Sequence, residues 1–303
     1  MTVINMLSLG DEGIAVADEQ VSGDIRKSNI YQKLRVLNET TIYGGSGPAD
    51  FIMHIYDLVY NKLKEESRNI SLREICEYTS NLIISQKNSF KDRILISNLG
   101  ISLDEYITGF SVKLGKPIAD NIKTKAEQFA SNFDEQSKTE ILIGGRESDK
   151  FCIYYINTYG VCIKGSIPYV TIGSGSDESQ KILSSYIAGL KRNKRESIDK
   201  VEGLAKILEA TNSSARINVG VGGTLSIVYI TKEGVKIPDE DRCKLTSEIV
   251  ESLSLSLIDR ELSYDMLRRL IFEDDKFEVV EDEFMSKVKD WKKLNKILRG
   301  YKL

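Results

Sequence analysis

The sequence predicts an α+β fold, with antiparallel sheets covered by layers of helix. Short apolar runs of strand length come in pairs separated by turn residues, which marks hairpins. The order is four strands, two helices, four strands, two helices, two strands and a helical tail, which indicates antiparallel sheets rather than βαβ units. With 303 residues, 41% hydrophobic and 29% charged, the chain has an ordinary globular composition for one or two domains. Disordered, collagen-like and coiled-coil classes are excluded.

The first pair of strands is Thr2 to Leu9 and Ile14-Ala15-Val16-Ala17, joined by Gly10-Asp11-Glu12-Gly13. The second is Lys33 to Leu37 and Thr40 to Tyr43 around Asn38-Glu39. Gly44-Gly45-Ser46-Gly47-Pro48 then ends a strand and opens a helix with proline in its first turn. That helix is expected to run to about Glu66, with Phe51, Ile55, Leu58, Val59 and Leu63 at helical spacing. Ser71-Leu72-Arg73-Glu74 matches a capping box and starts a second helix, expected to reach about Asn88. Residues 93–138 are less regular and more polar, with a short helix over Lys123 to Phe133.

Strands return at Glu140–Ile143, Phe151–Ile156, Val161–Lys164 and Tyr169–Ile172. The last leads into Gly173-Ser174-Gly175-Ser176 and a helix over about Glu178 to Lys191; another covers about Glu196 to Glu209. Asn218 to Thr231 alternates as a strand broken by Gly220, Gly222 and Gly223, and Lys232-Glu233-Gly234 turns it into Val235-Lys236-Ile237. From Asp239 the chain reads as charged helix, with Trp291 and Leu294 on an apolar stripe.

Composition removes several function classes. The 42 Lys and Arg against 45 Asp and Glu give a net charge of −3, no electrostatic case for nucleic acid or an anionic membrane. No apolar run of ~18 residues is present, so no spanning helix is expected. Met1 to Ser8 lacks the basic start and small-residue cleavage site of a secretory signal. Cys76, Cys152, Cys162 and Cys243 are scattered without a CxxC pair and read as buried small residues in a reducing cytoplasm. His54 is the one histidine, which excludes a zinc site with two His ligands. It sits in the apolar helical pattern Phe51 to Tyr60 and reads as structural, so an enzyme here needs a base other than histidine.

Two glycine-rich turns carry the remaining signals. Gly173-Ser174-Gly175-Ser176 precedes a helix, as a phosphate cradle does, but has neither a Walker lysine nor Rossmann spacing. The sharper reading is a strand-to-helix turn that presents Ser174 to a site. At the N-terminus, methionine is removed when the next residue is small, and Thr2 qualifies, so the mature chain is expected to begin with threonine. Its α-amine, with a pKa of ~7.7–8, can act as base for the hydroxyl of the same residue.

Thr2-Val3-Ile4, Gly13-Ile14-Ala15-Val16-Ala17-Asp18, Lys33-Leu34 and Ile42-Tyr43-Gly44-Gly45 before a helix resemble the opening of proteasome β subunits, which are N-terminal nucleophile (Ntn) hydrolases. Leu142-Ile143-Gly144-Gly145, Tyr154-Tyr155-Ile156, Thr171 to Ser176, and Gly222-Gly223-Thr224 to Gly234 follow in the family's order. The resemblance implies a four-layer αββα sandwich and covers residues 2–92 and 139–238. It leaves 93–138 as an insertion and 239–303 as a helical C-terminal extension. By the same resemblance Thr2 matches the nucleophile, Asp18 the acid after the second strand, and Lys33 the lysine that tunes the hydroxyl. Gly45, or with a one-residue ambiguity Gly44, matches the oxyanion donor. Ser174 matches the serine beside the terminal amine. Where the family has Asp-x-x-Ser before the last strand pair, this chain has Asn218 and Val221, so part of the amine-orienting network is lost and Asn218 is left as a supporting residue; Gln20 replaces the usual arginine.

The resemblance implies a threonine-type peptidase or amidase that needs no metal or organic cofactor. It would act on peptide or protein substrates in the cytoplasm, with a homo-oligomer possible and no nucleic-acid or membrane partner. Two alternatives stand beside it: a proteasome-related transpeptidase similar to connectase, in which a peptide amine resolves the acyl-enzyme, and a non-catalytic assembly or binding subunit.

Overall fold

The computed structural model describes residues 2–19, 21–22, 27–28, 32–66, 70–218 and 221–298. In chain order the first elements are β1 (Ile4–Ser8), β2 (Gly13–Asp18), the short strands β3 (Val21–Ser22) and β4 (Lys27–Ser28), β5 (Leu34–Asn38) and β6 (Thr41–Ser46). Then come α1 (Ala49–Glu65), α2 (Leu72–Leu99), α3 (Leu103–Thr108), β7 (Phe110–Ser111), β8 (Lys116–Pro117) and α4 (Asp120–Gln136). Four strands follow: β9 (Glu140–Glu147), β10 (Lys150–Ile156), β11 (Cys162–Lys164) and β12 (Tyr169–Ile172). The rest is α5 (Ser176–Gly189), α6 (Lys200–Ile217), β13 (Leu225–Ile230), β14 (Val235–Lys236), α7 (Glu240–Ser254), α8 (Arg260–Ile271), α9 (Phe277–Lys287) and α10 (Trp291–Leu298). The fold class is α+β.

The chain divides into two compact units, Met1–Ser46 with Ile141–Tyr155 and Ile163–Leu303, and Gly47–Glu140 with Ile156–Cys162. The first unit holds two five-stranded sheets, ordered β12-β1-β2-β13-β14 and β11-β10-β9-β6-β5. β1 runs antiparallel to both β12 and β2, and β2 antiparallel to β13. Alternate side chains of β1 and β2 serve two cores. Ile4, Met6, Ala15 and Ala17 meet Leu34, Ile42, Leu142 and Phe151 of the other sheet. Leu7, Ile14 and Val16 point the other way, into the helical layer with Leu204, Leu208, Ile249 and Leu267. Burial on both faces explains why these strands read as continuous apolar runs instead of alternating.

The helical layer is built on local signals. Asp199, Asp239 and Asp259 each accept backbone N–H bonds at the start of α6, α7 and α8. Residues 239–303 belong to this unit, and Val280, Phe284 and Leu294 of α9 and α10 join its helix-side core.

The second unit is helical. The Ser71 hydroxyl and Glu74 carboxylate form the expected capping box of α2. This helix does not end near Asn88 but continues to Leu99. The stop signal is Gly100, whose left-handed φ of 70° closes the helix, with no glycine or proline before it. The polar stretch 93–138 is more regular than expected: it holds α3, the β7–β8 hairpin and α4, and Leu103 and Tyr106 of α3 and Ile122 and Phe129 of α4 pack on Leu95, Ile101, Ile118 and Ala126. His54 lies exposed on α1, its Nε2 3.2 Å from Gln86 Oε1, rather than on the apolar face formed by Ile52, Ile55 and Val59. Among the described residues no helix is long and apolar enough to cross a membrane.

Candidate active site

Every candidate site residue lies in the first unit, on the N-terminal end of β1 and the segments around it. Thr2 is half-buried and pinned at both backbone groups. Its N–H donates to Ser174 Oγ at 3.1 Å, and its carbonyl accepts from Gly175 N–H at 3.1 Å. The turn 173–175 can approach this closely because Gly173 sits at φ +93° and carries no Cβ. A Cβ there would fall 2.2 Å from the Thr2 carbonyl oxygen and 3.2 Å from Ser46 Oγ.

One residue along, Val3 N–H donates to Asp18 Oδ1 at 2.7 Å. The same oxygen receives Lys33 Nζ at 2.8 Å. Asp18 Oδ1 thus bridges the Val3 backbone N–H and the Lys33 ammonium. The other carboxylate oxygen accepts Gly222 N–H at 3.3 Å. Asp18 is wholly buried and Lys33 is 4% exposed. Burial pushes the Asp18 carboxyl above the ordinary carboxylate range, against the pull of Lys33 and the two backbone donors. Burial likewise holds the Lys33 ammonium below its usual value, against the attraction of Asp18.

Asn218 ends α6, its Nδ2 donating to the Ser214 carbonyl at 3.1 Å while its own carbonyl accepts Val221 N–H at 2.9 Å. Asn218 thereby ties Val221, the neighbour of Gly222, to the end of α6. The strand expected over Asn218 to Thr231 forms only over Leu225–Ile230, because Asn218 caps α6 and Gly222 and Gly223 adopt positive φ before the strand begins. Gln20, Gly220 and Met1 lie outside the described residues. Gly44 and Gly45 are buried inside β6, which has β5 on one side and β9 on the other. The strand therefore runs to Ser46, past the expected end at Tyr43. Gly44 sits opposite Leu34, and a Cβ on it would lie 3.1 Å from Ile4 and 3.2 Å from Leu34, so the glycine admits tight packing of the two sheets.

A buried polar chain that sequence reading missed supports the turn. Ser214 Oγ donates to the Gly175 carbonyl at 2.7 Å and lies 2.8 Å from Ser179 Oγ. Asn5 Nδ2 reaches Ser179 Oγ at 3.1 Å and Thr211 Oγ1 at 2.8 Å. Gly175 thus holds Thr2 through its N–H and is itself held by α6 through its carbonyl. The available signal was Asn5, one amide inside the apolar run Val3-Ile4-Asn5-Met6-Leu7. A buried amide needs partners, so it marks polar groups arriving from elsewhere in the chain. Chemically, the corner offers a hydroxyl-bearing residue with fixed backbone, a buried cation one peptide away, and a hydroxyl at its nitrogen. No family model matches the chain, and no curated protein matches it significantly.

Proposed function

We propose that the chain is a threonine-type peptidase or amidase with the four-layer αββα architecture of the Ntn hydrolases. The observation that carries this reading is the double pinning of Thr2 by Ser174 and Gly175 beside the buried Lys33–Asp18 pair. The mechanism requires cleavage of the Met1–Thr2 bond, so that Thr2 bears a free α-amine. That amine takes the proton from Oγ as Oγ attacks the scissile carbonyl. The Lys33 ammonium stabilises negative charge developing on the oxygen, and Asp18 keeps the ammonium in place. The backbone N–H of Gly45, or of Gly44, receives the oxyanion. The C–N bond breaks as the protonated α-amine returns its proton to the leaving amine, which leaves an ester on Thr2. Water, deprotonated by the same amine, hydrolyses that ester and restores the hydroxyl. Ser174 accepts a hydrogen bond at the nitrogen and orients its lone pair.

The test is to incubate the full chain with unstructured peptides, alone and with a second peptide that carries a free amine, and to weigh the products. Cleaved peptide that vanishes in Thr2→Ala supports the reading. Ligated product in excess of hydrolysed product overturns hydrolysis in favour of transpeptidation. No product in either mixture, from a chain with a free Thr2 amine, overturns the enzyme reading.

A further inference from the structure

A cavity of about 520 Å³ opens in the first unit between the β1–β2 turn, β10, the β11–β12 connection and the loop that joins α5 to α6. Its lining separates by chemistry. Phe151, Ile153 and Ile187 are buried, whereas Lys150, Lys164, Arg192 and Arg195 stand exposed. Among the described residues Glu196 is the one carboxylate on the lining, so four cations meet one anion in a chain whose net charge is −3. The cavity is remote from the candidate active site. It reaches Ser8, the far end of β1 from Thr2, about 20 Å along at ~3.3 Å per extended residue.

The walls are fastened before any ligand arrives. Ile198 N–H donates to the Leu9 carbonyl at 3.1 Å and Phe151 N–H to the Gly10 carbonyl at 2.8 Å, which ties the basic loop and β10 to the same turn. Gly10, at φ +122°, lets the loop lie close, because a Cβ on it would fall 2.8 Å from the Glu196 carbonyl oxygen. Arg195 closes the end of α5, its Nε donating to the Leu190 carbonyl and its Nη2 to the Ala188 carbonyl, each at 3.1 Å. Its Nη1 forms no hydrogen bond among the described residues, and the Arg192 guanidinium has no ion-pair or hydrogen-bond partner among them. Lys150 Nζ meets Glu196 at 3.6 Å, with both side chains 70% or more exposed. A pair this open contributes little, so a bound anion can take the place of the carboxylate.

We propose that this cavity binds an organic phosphate, a phosphate monoester carried on an apolar body. The volume falls within the ~300–1,000 Å³ of small-molecule sites. A carboxylate is satisfied by one guanidinium fork, whereas a phosphate monoester brings close to two charges and three strong acceptor oxygens. Two guanidiniums with free N–H groups and two exposed ammoniums answer the second description. The phosphate sits at the charged mouth, against Arg192 and Arg195, and the apolar body covers Phe151, Ile153 and Ile187 within. The site stands whether or not Thr2 is a nucleophile, because the two share no residue.

The test is calorimetric titration of the full chain with three probes: AMP, naphthyl phosphate and inorganic phosphate. At least one of the two esters should bind about tenfold or more tighter than inorganic phosphate, and its affinity should fall as salt is raised. AMP ahead of naphthyl phosphate identifies a nucleotide as the ligand, and the reverse order a hydrocarbon body. Arg192→Glu changes an exposed side chain, so the circular dichroism spectrum should stay unchanged while the better ester loses about tenfold or more in affinity. Esters that bind no tighter than inorganic phosphate overturn the proposal. So does ester binding that persists at full strength in Arg192→Glu combined with Lys150→Glu.

Discussion

Two lysines are buried to nearly the same depth, Lys33 at 4% exposed in the first unit and Lys87 at 6% in the second. Burial pulls both ammonium groups below their ordinary pKa. Their company differs. Lys33 meets a wholly buried carboxylate at 2.8 Å, and that carboxylate also binds the backbone next to Thr2. Lys87 is held by the Thr158 hydroxyl and lies 5.9 Å from the Phe51 ring centre, with Asp134 acting on it electrostatically. Under the proposed function, the contrast separates a structural buried cation from one that serves the reaction. A neutral acceptor and a ring suffice to anchor a side chain. A buried ion pair is a poor source of stability, because desolvation offsets most of the attraction. The proposed reaction, which needs a fixed positive charge, gives the Asp18–Lys33 pair a purpose that stability alone does not.

The largest expected effect breaks this comparison directly. Lys33→Met should slow acylation of Thr2 by roughly 10²–10³-fold, the scale of removing one charge-stabilising donor. Lys87→Met should leave acylation unchanged. Stopped-flow mass analysis with an activated ester reads both, and equal losses would erase the distinction. A stability effect of similar size concerns the pair itself. Asp18→Asn leaves the Lys33 ammonium buried without its counter-charge and should cost about 3–5 kcal/mol in urea unfolding. A loss below about 1 kcal/mol would mean that the ammonium finds other compensation.

The pH dependence sharpens the contrast. Acylation should rise with pH as the Thr2 α-amine deprotonates near ~7.7–8. It should fall again where Lys33 loses its proton, below the 10.5 of an ordinary lysine because burial disfavours the ammonium. Lys33→Arg, which stays charged, should remove that alkaline limb. For Lys87 the sign concerns stability. Its folded pKa lies below the unfolded value of 10.5, so the unfolded chain binds more protons between the two and stability rises with pH across that window. Lys87→Met should flatten its share of that slope.

Strand pairing at β1–β2, the start of α1 after Pro48 and the capping box at Ser71 were legible, because each rests on contacts local in sequence. The ends of α2 and α6 were not. Gly100 is a stop signal only once the chain before it is accepted as helix. α6 runs on to Ile217 through Thr211, Asn212, Ser213 and Ser214, residues that disfavour helix interiors. They persist because distant partners use them: Thr211 binds Asn5, Asn212 exchanges with Ser247, and Ser214 binds Gly175. The same logic covers the site. Thr2, Asp18, Lys33 and Ser174 follow from motif order, whereas Asn5, Ser179 and Ser214 come together only through tertiary packing. Ser214→Ala, which leaves the Gly175 carbonyl without its donor, should cost about 1–3 kcal/mol and loosen the turn. Hydrogen exchange at Gly175 N–H should rise accordingly. The smallest effect is expected far from the site: Ser71→Ala should cost about 1 kcal/mol of helix capping and no reactivity.

The central claim is that one residue supplies both nucleophile and base. A peptide epoxyketone tests it most directly, because it forms two bonds and closes a ring only where a hydroxyl and a free amine belong to the same residue. Peptide mapping of the treated full chain should place one such ring on Thr2, in molecules that lack Met1, and none in Lys33→Met at the same exposure. A ring-free adduct on another residue, or an unmodified Thr2 with a free amine, would contradict the account.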